Sequence, residues 1–362
     1  MTELWQHSAL DLAAMIRNGD TTSREVVEAH LARIDAVNPD LNAVVRRLDE
    51  SAIAAADEAD AATERGERVG TFHGVPVTVK ENIDLVGSPT TQGIAALAEA
   101  LPTQDAPVIE RMKAAGAIPL ARTNLPDLGL RVHTDSSLHG LTRNPHHPDR
   151  TTGGSSGGEA SAIAAGMSPL GLGNDIGGSL RNPAHCCGIA SIKPSVGAVP
   201  WATTVPPEDP LISTQQMAVE GPMARCVADV RAAFQEVAGA HVRDPISVPA
   251  SFRYLGDGER LKVAVVAEPP GGATHPEVAA AVRAAAAVLV DAGHEVVDAT
   301  PPLYEETVEL WAELLVLDLT VTRPLLDMVM GDGGREMLAV LFDTSDVPTL
   351  ESAVELALST TP

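Results

Sequence analysis

The sequence predicts an α/β protein with helices on both faces of a sheet, and three observations carry that prediction. Short valine- and isoleucine-rich runs alternate with longer helix-periodic stretches, the pattern of strand–helix units folding onto one sheet. Two glycine–serine clusters, 153–158 (GGSSGG) and 171–188 (GLGNDIGGSLRNPAHCCG), each lead into a helix-prone segment. A chain of 362 residues, 44% hydrophobic and 20% charged, is long enough and apolar enough to bury a large core.

The elements follow in order. The first sixty-odd residues read as helical: Ser8 can cap a helix running to about Arg17, and Thr22 or Ser23 a second to about Val37. Val27, Leu31 and Ile34 share one face of the second helix. From Phe72 the alternation of Val75, Val77 and Val79 signals a strand, with Thr78 and Lys80 on its other side and Glu81 turned away from Lys80 if the strand persists. A helix is expected over Val108–Ala115, a strand over Ile118–Ala121, a helix after Gly158 and a strand over Pro169–Asp175. Gly177, Gly178 and Ser179 then turn into a short helix. Residues 194–222 are proline-rich and read as a loop near the site. A strand at Leu261–Ala267, a helix at His275–Ala292, a strand at His294–Asp298 and a mostly helical remainder from Tyr304 complete the reading. With no internal repeat and no clear linker, residues 1–362 are expected to form a single domain.

Composition excludes several function classes. A formal charge of -24 argues against nucleic acid, whose phosphates are bound through lysine and arginine, and against anionic membrane surfaces. Three cysteines, with Cys186 and Cys187 adjacent, give no disulfide framework and suit a reducing cytoplasm. The start, MTELWQHSALDL, lacks a basic segment followed by an apolar one. The most apolar run, Ala279–Val290, contains Arg283 and reads as a buried helix, so a cytoplasmic protein with neither a membrane nor a nucleic acid as partner is expected.

Chemistry concentrates on three residues. Ser179 follows two glycines, and the N–H groups of Ile176, Gly177, Gly178 and Ser179 could surround a carbonyl oxygen. On local sequence alone, GGS reads equally well as a helix cap after a strand. Ser155 lies in G-x-S-x-G, the turn that exposes a nucleophile in α/β-hydrolases, a reading that needs a later acid and histidine; His241, His275 and His294 are the candidates. Lys80 ends a strand, where an isolated lysine is ordinarily a surface group. As a base it must be neutral, and burial achieves that when no carboxylate restores the charge. Asp175 and Arg181 flank the Ser179 turn and are expected to pair across it, with Ser156 in a supporting hydrogen bond. Cys186, Cys187 and His185 lack a second ligand pair and read as small packed residues. GLGNDIGG has Ile176 where a dinucleotide fingerprint needs its third glycine, and GGSSGGEAS lacks the G-K-[ST] of a phosphate loop.

Lys80, Ser155 75 positions later and Ser179 24 beyond that, with ARTNLPDLG (Ala121–Gly129), TRNPHHPDR (Thr142–Arg150) and EGPMARCVADV (Glu220–Val230), resemble the amidase signature family of serine amidohydrolases. The resemblance implies an α/β/α sandwich around a mixed, mainly parallel central sheet, with a signature core at about 70–230. It implies Ser179 as nucleophile, Ser155 after a cis peptide bond as the proton bridge, and Lys80 as base. Ile176, Gly177 and Gly178 then form the oxyanion hole, and Ser156, Asp175 and Arg181 support it. It implies a small-molecule amide substrate and no metal or organic cofactor, while the oligomeric state is left open, a homo-oligomer included. The family ordinarily continues past the point where this sequence stops, so a C-terminal segment is expected to be missing. An amidotransferase A-type subunit and a catalytically silent binding subunit are the alternatives. Asn174 for a common threonine, His146 for an aromatic residue and Ala198 for an arginine depart from the pattern; all three are expected to vary the pocket and loops without touching the triad.

Overall fold

The computed structural model describes residues 3–67, 69–205, 210–252 and 258–344. They fall into two compact units, one holding residues up to 251 together with 322–344 and the other holding 252–321.

The first unit is laid down in chain order as α1 (Ala9–Asn18), α2 (Ser23–Leu41), β1 (Val44–Arg47), α3 (Asp49–Glu64), β2 (Pro76–Lys80), α4 (Pro107–Ala114) and β3 (Ile118–Thr123). A small hairpin of β4 (Asp135–Ser136) and β5 (Gly140–Leu141) follows, then α5 (Gly157–Ala164), β6 (Leu170–Asp175), α6 (Arg181–Cys187), β7 (Ala190–Ser191), α7 (Ile212–Met217), β8 (Val219–Ala224) and α8 (Val227–Val237). Six strands form one sheet in the order β1-β3-β2-β6-β8-β7. β2 runs parallel to both β3 and β6, while β1, β8 and β7 join antiparallel. The sheet is therefore mixed with a parallel centre, as expected.

Burial explains why the central strands carry so few polar residues: all five positions of β2 are buried, the signature of a sheet covered on both faces. Val75, Val77 and Val79 join Leu170 and Leu172 in a cluster with Leu12 and Ile16 of α1, Ile109 and Met112 of α4, and Val230 and Val237 of α8. On the other side, Ile118 and Leu120 pack with Val27, Leu31 and Ile34 of α2 and with Ala162 of α5. Thr78 faces α5 too, donating to Glu159. Ser8 caps α1, accepting from the Asp11 N–H at 3.1 Å, and Thr22 caps α2 in a capping box with Glu25.

Two expectations need correction. The helical reading of the first sixty-odd residues is interrupted by β1, whose four residues are too short to show an alternation and are ordered by pairing with β3. The proline-rich stretch 194–222 is not all loop, since α7 and the first part of β8 lie in it. Gly221 and Pro222 argue locally against a strand. β7 pairs only with Met223 and Ala224, so Pro222 lies past the end of that pairing.

The second unit contains β9 (Lys262–Val265), α9 (Pro276–Asp291) and β10 (Glu295–Asp298), with the two strands parallel. Next comes α10 (Tyr304–Val329), whose residues from 322 onward are counted with the first unit, as is α11 (Asp332–Thr344). Among the described residues, no helix is long and apolar enough to cross a membrane.

Candidate active site

Three parts of the first unit meet at the C-terminal ends of β2 and β6. Lys80 is the last residue of β2, Asn174 and Asp175 end β6, and the turn before α5 supplies Ser155 and Ser156. The Gly154–Ser155 peptide bond is cis. Glycine is required here by close approach: a Cβ on Gly154 would lie 2.4 Å from the Arg131 carbonyl oxygen, and one on Gly158 would lie 2.4 Å from that of Asn124.

Lys80 is fully buried, with Nζ 2.8 Å from Ser155 Oγ and 2.5 Å from Asn174 Oδ1. Burial takes its ammonium down to about 7, against the pull of Asp175, Glu159 and Glu220. Each of these carboxyl groups is held differently. Burial acts to raise Asp175, but bonds from Arg181 and from the Leu180 and Gly178 N–H groups outweigh it and hold the carboxylate below its ordinary range. Burial pushes Glu159 up to about 7 despite the hydroxyls of Thr123 and Thr78 that donate to it. Burial, with Asp84 and Asp244 nearby, carries Glu220 well above the usual carboxylate range.

The two glycine–serine clusters meet: the Ser156 N–H donates to the Ser179 carbonyl at 3.2 Å, and Ser156 Oγ donates to the Asn174 carbonyl at 3.3 Å. Ser179 is 8% exposed and its Oγ has no hydrogen-bond partner among the described residues. Asp175 organises the turn beneath it, accepting from the Gly178 N–H at 2.8 Å and the Leu180 N–H at 2.9 Å. Arg181 closes a two-pronged pair, Nε to Oδ2 at 3.0 Å and Nη2 to Oδ1 at 2.9 Å. The Gly178 N–H is thus engaged, whereas those of Gly177 and Ser179 donate to no acceptor among the described residues. The arrangement can take a proton from a serine and offer backbone N–H groups to an oxyanion.

One sequence reading is overturned. Asn174 was expected to vary the pocket without touching the three residues, yet it contacts Lys80 directly and reaches back with Nδ2 to Asn82 Oδ1 at 2.8 Å. Sequence reasoning also passed over Glu159, although a lone acid within the small apolar run EASAIAA is a signal of a buried carboxyl. Nor did it single out Arg122, fully buried, whose guanidinium donates to the carbonyls of Lys80 (3.2 Å) and Ile83 (2.7 Å) and pins the chain leaving β2. The histidines named for the elbow reading have other partners. His241 Nε2 lies 3.1 Å from Glu110, His275 accepts from the Glu277 N–H and His294 from the Leu261 N–H. Cys187 is buried with its Sγ toward the Thr152 carbonyl, and among the described residues no group of three His, Cys, Asp or Glu side chains could hold a metal.

Comparison with known proteins gives these residues a setting. The family model described as Amidase matches residues 25–356. The chain is 44% identical over 319 residues to an indoleacetamide hydrolase of Bradyrhizobium diazoefficiens, covering 88% of this chain and 61% of that protein. It is 37% identical over 307 residues to the A-type subunit of a glutamyl-tRNA(Gln) amidotransferase of Chloroflexus aurantiacus, covering 83% and 62%. Among solved structures, a 6-aminohexanoate cyclic dimer hydrolase complexed with substrate superposes with a TM-score of 0.79 at 31% identity, covering 98% of this chain and 75% of that one. The chain thus spans roughly three fifths of the length of the two sequence relatives.

Proposed function

This chain belongs to the amidase signature family, and from that premise we propose that it hydrolyses a carboxylic amide to an acid and an amine or ammonia through Ser179, Ser155 and Lys80. The observation that carries the proposal is the buried Lys80 amine, near neutrality and 2.8 Å from Ser155, on the turn whose next residue bonds to Ser179. In this reading, Ser179 Oγ attacks the amide carbonyl carbon. Its proton passes to Ser155 as the Ser155 proton passes to the neutral Lys80 amine. The oxyanion is held by backbone N–H groups from Ile176 to Ser179. Those of Gly177 and Ser179 are the best placed, because the Gly178 N–H is bonded to Asp175. When the C–N bond breaks, Ser155 gives its proton to the leaving nitrogen and recovers one from Lys80. Water then attacks the Ser179 ester along the same relay and releases the acid.

The likeness to the Bradyrhizobium enzyme makes indoleacetamide the first substrate to offer. The likeness to the amidotransferase A-type subunit supports a second reading, ammonia release from glutamine, which is separated from the first by comparing ammonia release from glutamine with that from indoleacetamide. Three free cysteines suit a reducing cytoplasm. The test is the intact mass after exposure to a fluorophosphonate, with peptide mapping. A single adduct on Ser179 that is lost in Lys80→Ala supports the roles assigned. An adduct on Ser155 reverses the two serines, and no adduct removes the proposal for this chain.

A further inference from the structure

The lysine that this reading uses as a base has a second contact that the relay itself does not require. Asn174 Oδ1 stands 2.5 Å from Lys80 Nζ, while Asn174 Nδ2 donates to Asn82 Oδ1 at 2.8 Å. The amide therefore bridges two segments that are far apart in sequence, the end of β6 and the chain leaving β2, with the lysine amine in its grip. We propose that Asn174, held by Asn82, is a positioning residue that aims the Lys80 amine at Ser155 while presenting it with an uncharged oxygen. The inference rests on Lys80 acting as the base, as set out above.

The stereochemistry of an amine gives the reason. A neutral lysine has two N–H bonds and one lone pair. An oxygen that can only accept draws one N–H toward itself and leaves the lone pair for the hydroxyl proton of Ser155. A carboxylate in the same place would satisfy the geometry equally well, yet it would hold the lysine as an ammonium. The charged and titratable groups around Lys80 fit this view. Asp175 of β6 is neutralised by Arg181 and engaged by backbone N–H groups. Glu159 of α5 is bonded by two threonine hydroxyls. Glu220 of β8, the register partner of Asn174, is buried with Oε2 unpartnered. Three buried acids thus surround the lysine, and among the described residues the oxygen within hydrogen-bond reach of its amine, other than the Ser155 hydroxyl, belongs to a neutral amide.

The experiment is the pH dependence of the rate of fluorophosphonate labelling at Ser179 in the wild-type chain and in Asn174→Asp, Asn174→Ala and Asn82→Ala, each checked for folding by its thermal transition. Asn174→Asp is expected to move the midpoint of the rise in rate upward by one pH unit or more, so that labelling about fivefold or more slower at pH 7 is regained at higher pH. Asn174→Ala is expected to slow labelling at every pH without that upward move, and Asn82→Ala to do the same to a smaller extent. Coincident profiles for wild type and Asn174→Asp would overturn the inference, as would equal losses in Asn174→Asp and Asn174→Ala at every pH. If Asn174→Asp does not fold, unchanged rates in Asn174→Ala and Asn82→Ala overturn it, and slowed rates support it. Absence of Ser179 labelling in the wild type would instead remove the reading on which the inference rests.

Discussion

Lys80 is the residue whose chemistry makes the sharpest demand on its surroundings. Its neutral form is the useful one, and that form grows as pH rises through about 7. The labelling rate at Ser179 should therefore climb with pH through a midpoint at about 7 and level well above it, and Lys80→Ala should cost about a hundredfold to ten-thousandfold on the plateau. Glu159 also titrates at about 7, and its charge favours the ammonium form of Lys80. Glu159→Gln removes that charge, so the midpoint should move to lower pH; a midpoint moving upward would mean that the limb does not report Lys80. At this scale the sequence was informative about identity and silent about contact. Lys80, Ser155 and Ser179 stood out through their spacing and the flanking motifs that resemble the amidase signature family, since locally GGS reads equally well as a helix cap and a strand-end lysine as a surface group. Asn174 was noted only as a departure from the family pattern and its contact was not seen, because nothing in N-D-I-G-G tells which way an amide turns, and its partners Asn82 and Lys80 lie more than ninety positions away.

Among the elements, α5 shows how much of the site is set by close packing. The helix starts directly after Ser156 and lies against the end of β3, where a Cβ on Gly158 would come within 2.4 Å of the Asn124 carbonyl oxygen and 2.5 Å of its nitrogen. Those are backbone atoms, so no side chain can swing aside. Gly158→Ala should destabilise the protein by about 1–3 kcal/mol, read as a lowered denaturant midpoint, and should slow Ser179 labelling because Ser155 and Ser156 move with the helix start. An unchanged midpoint would show that α5 can lift away from β3 at no cost. The glycine run was legible as a turn into a helix, but its tightness was not, since Asn124 reaches it only through the fold. The same limit hid β1 and the first half of β8. A four-residue strand has no period to read, and Gly221 with Pro222 masks one whose order comes from pairing with β6.

At the scale of the first unit, the sheet is closed over by segments from far apart in the chain, and the tie between α1 and α8 is the clearest case. Asp229, fully buried in the first turn of α8, accepts from the N–H groups of Ala9 at 2.8 Å and Leu10 at 3.1 Å, while Ser8 caps the same helix start from its own side chain. Arg225, one turn before, donates to the carbonyls of Trp5 and His7. An α1 so anchored buries Leu12 and Ile16 against the strand carrying Lys80. The periodicity and the Ser8 cap made α1 legible, whereas the acid that satisfies its free N–H groups lies some 220 positions on and carried no mark of that role. Removing it leaves one buried and one partly buried donor without an acceptor and lets the helix start fray. Asp229→Ala should therefore lower stability by about 1–2 kcal/mol. The loss should appear locally, as faster amide exchange over residues 9–16 with exchange in β6 left slow. Uniformly faster exchange across the unit would mean that α1 is not a separable element and that its docking is part of the cooperative fold from which the Lys80 site is built.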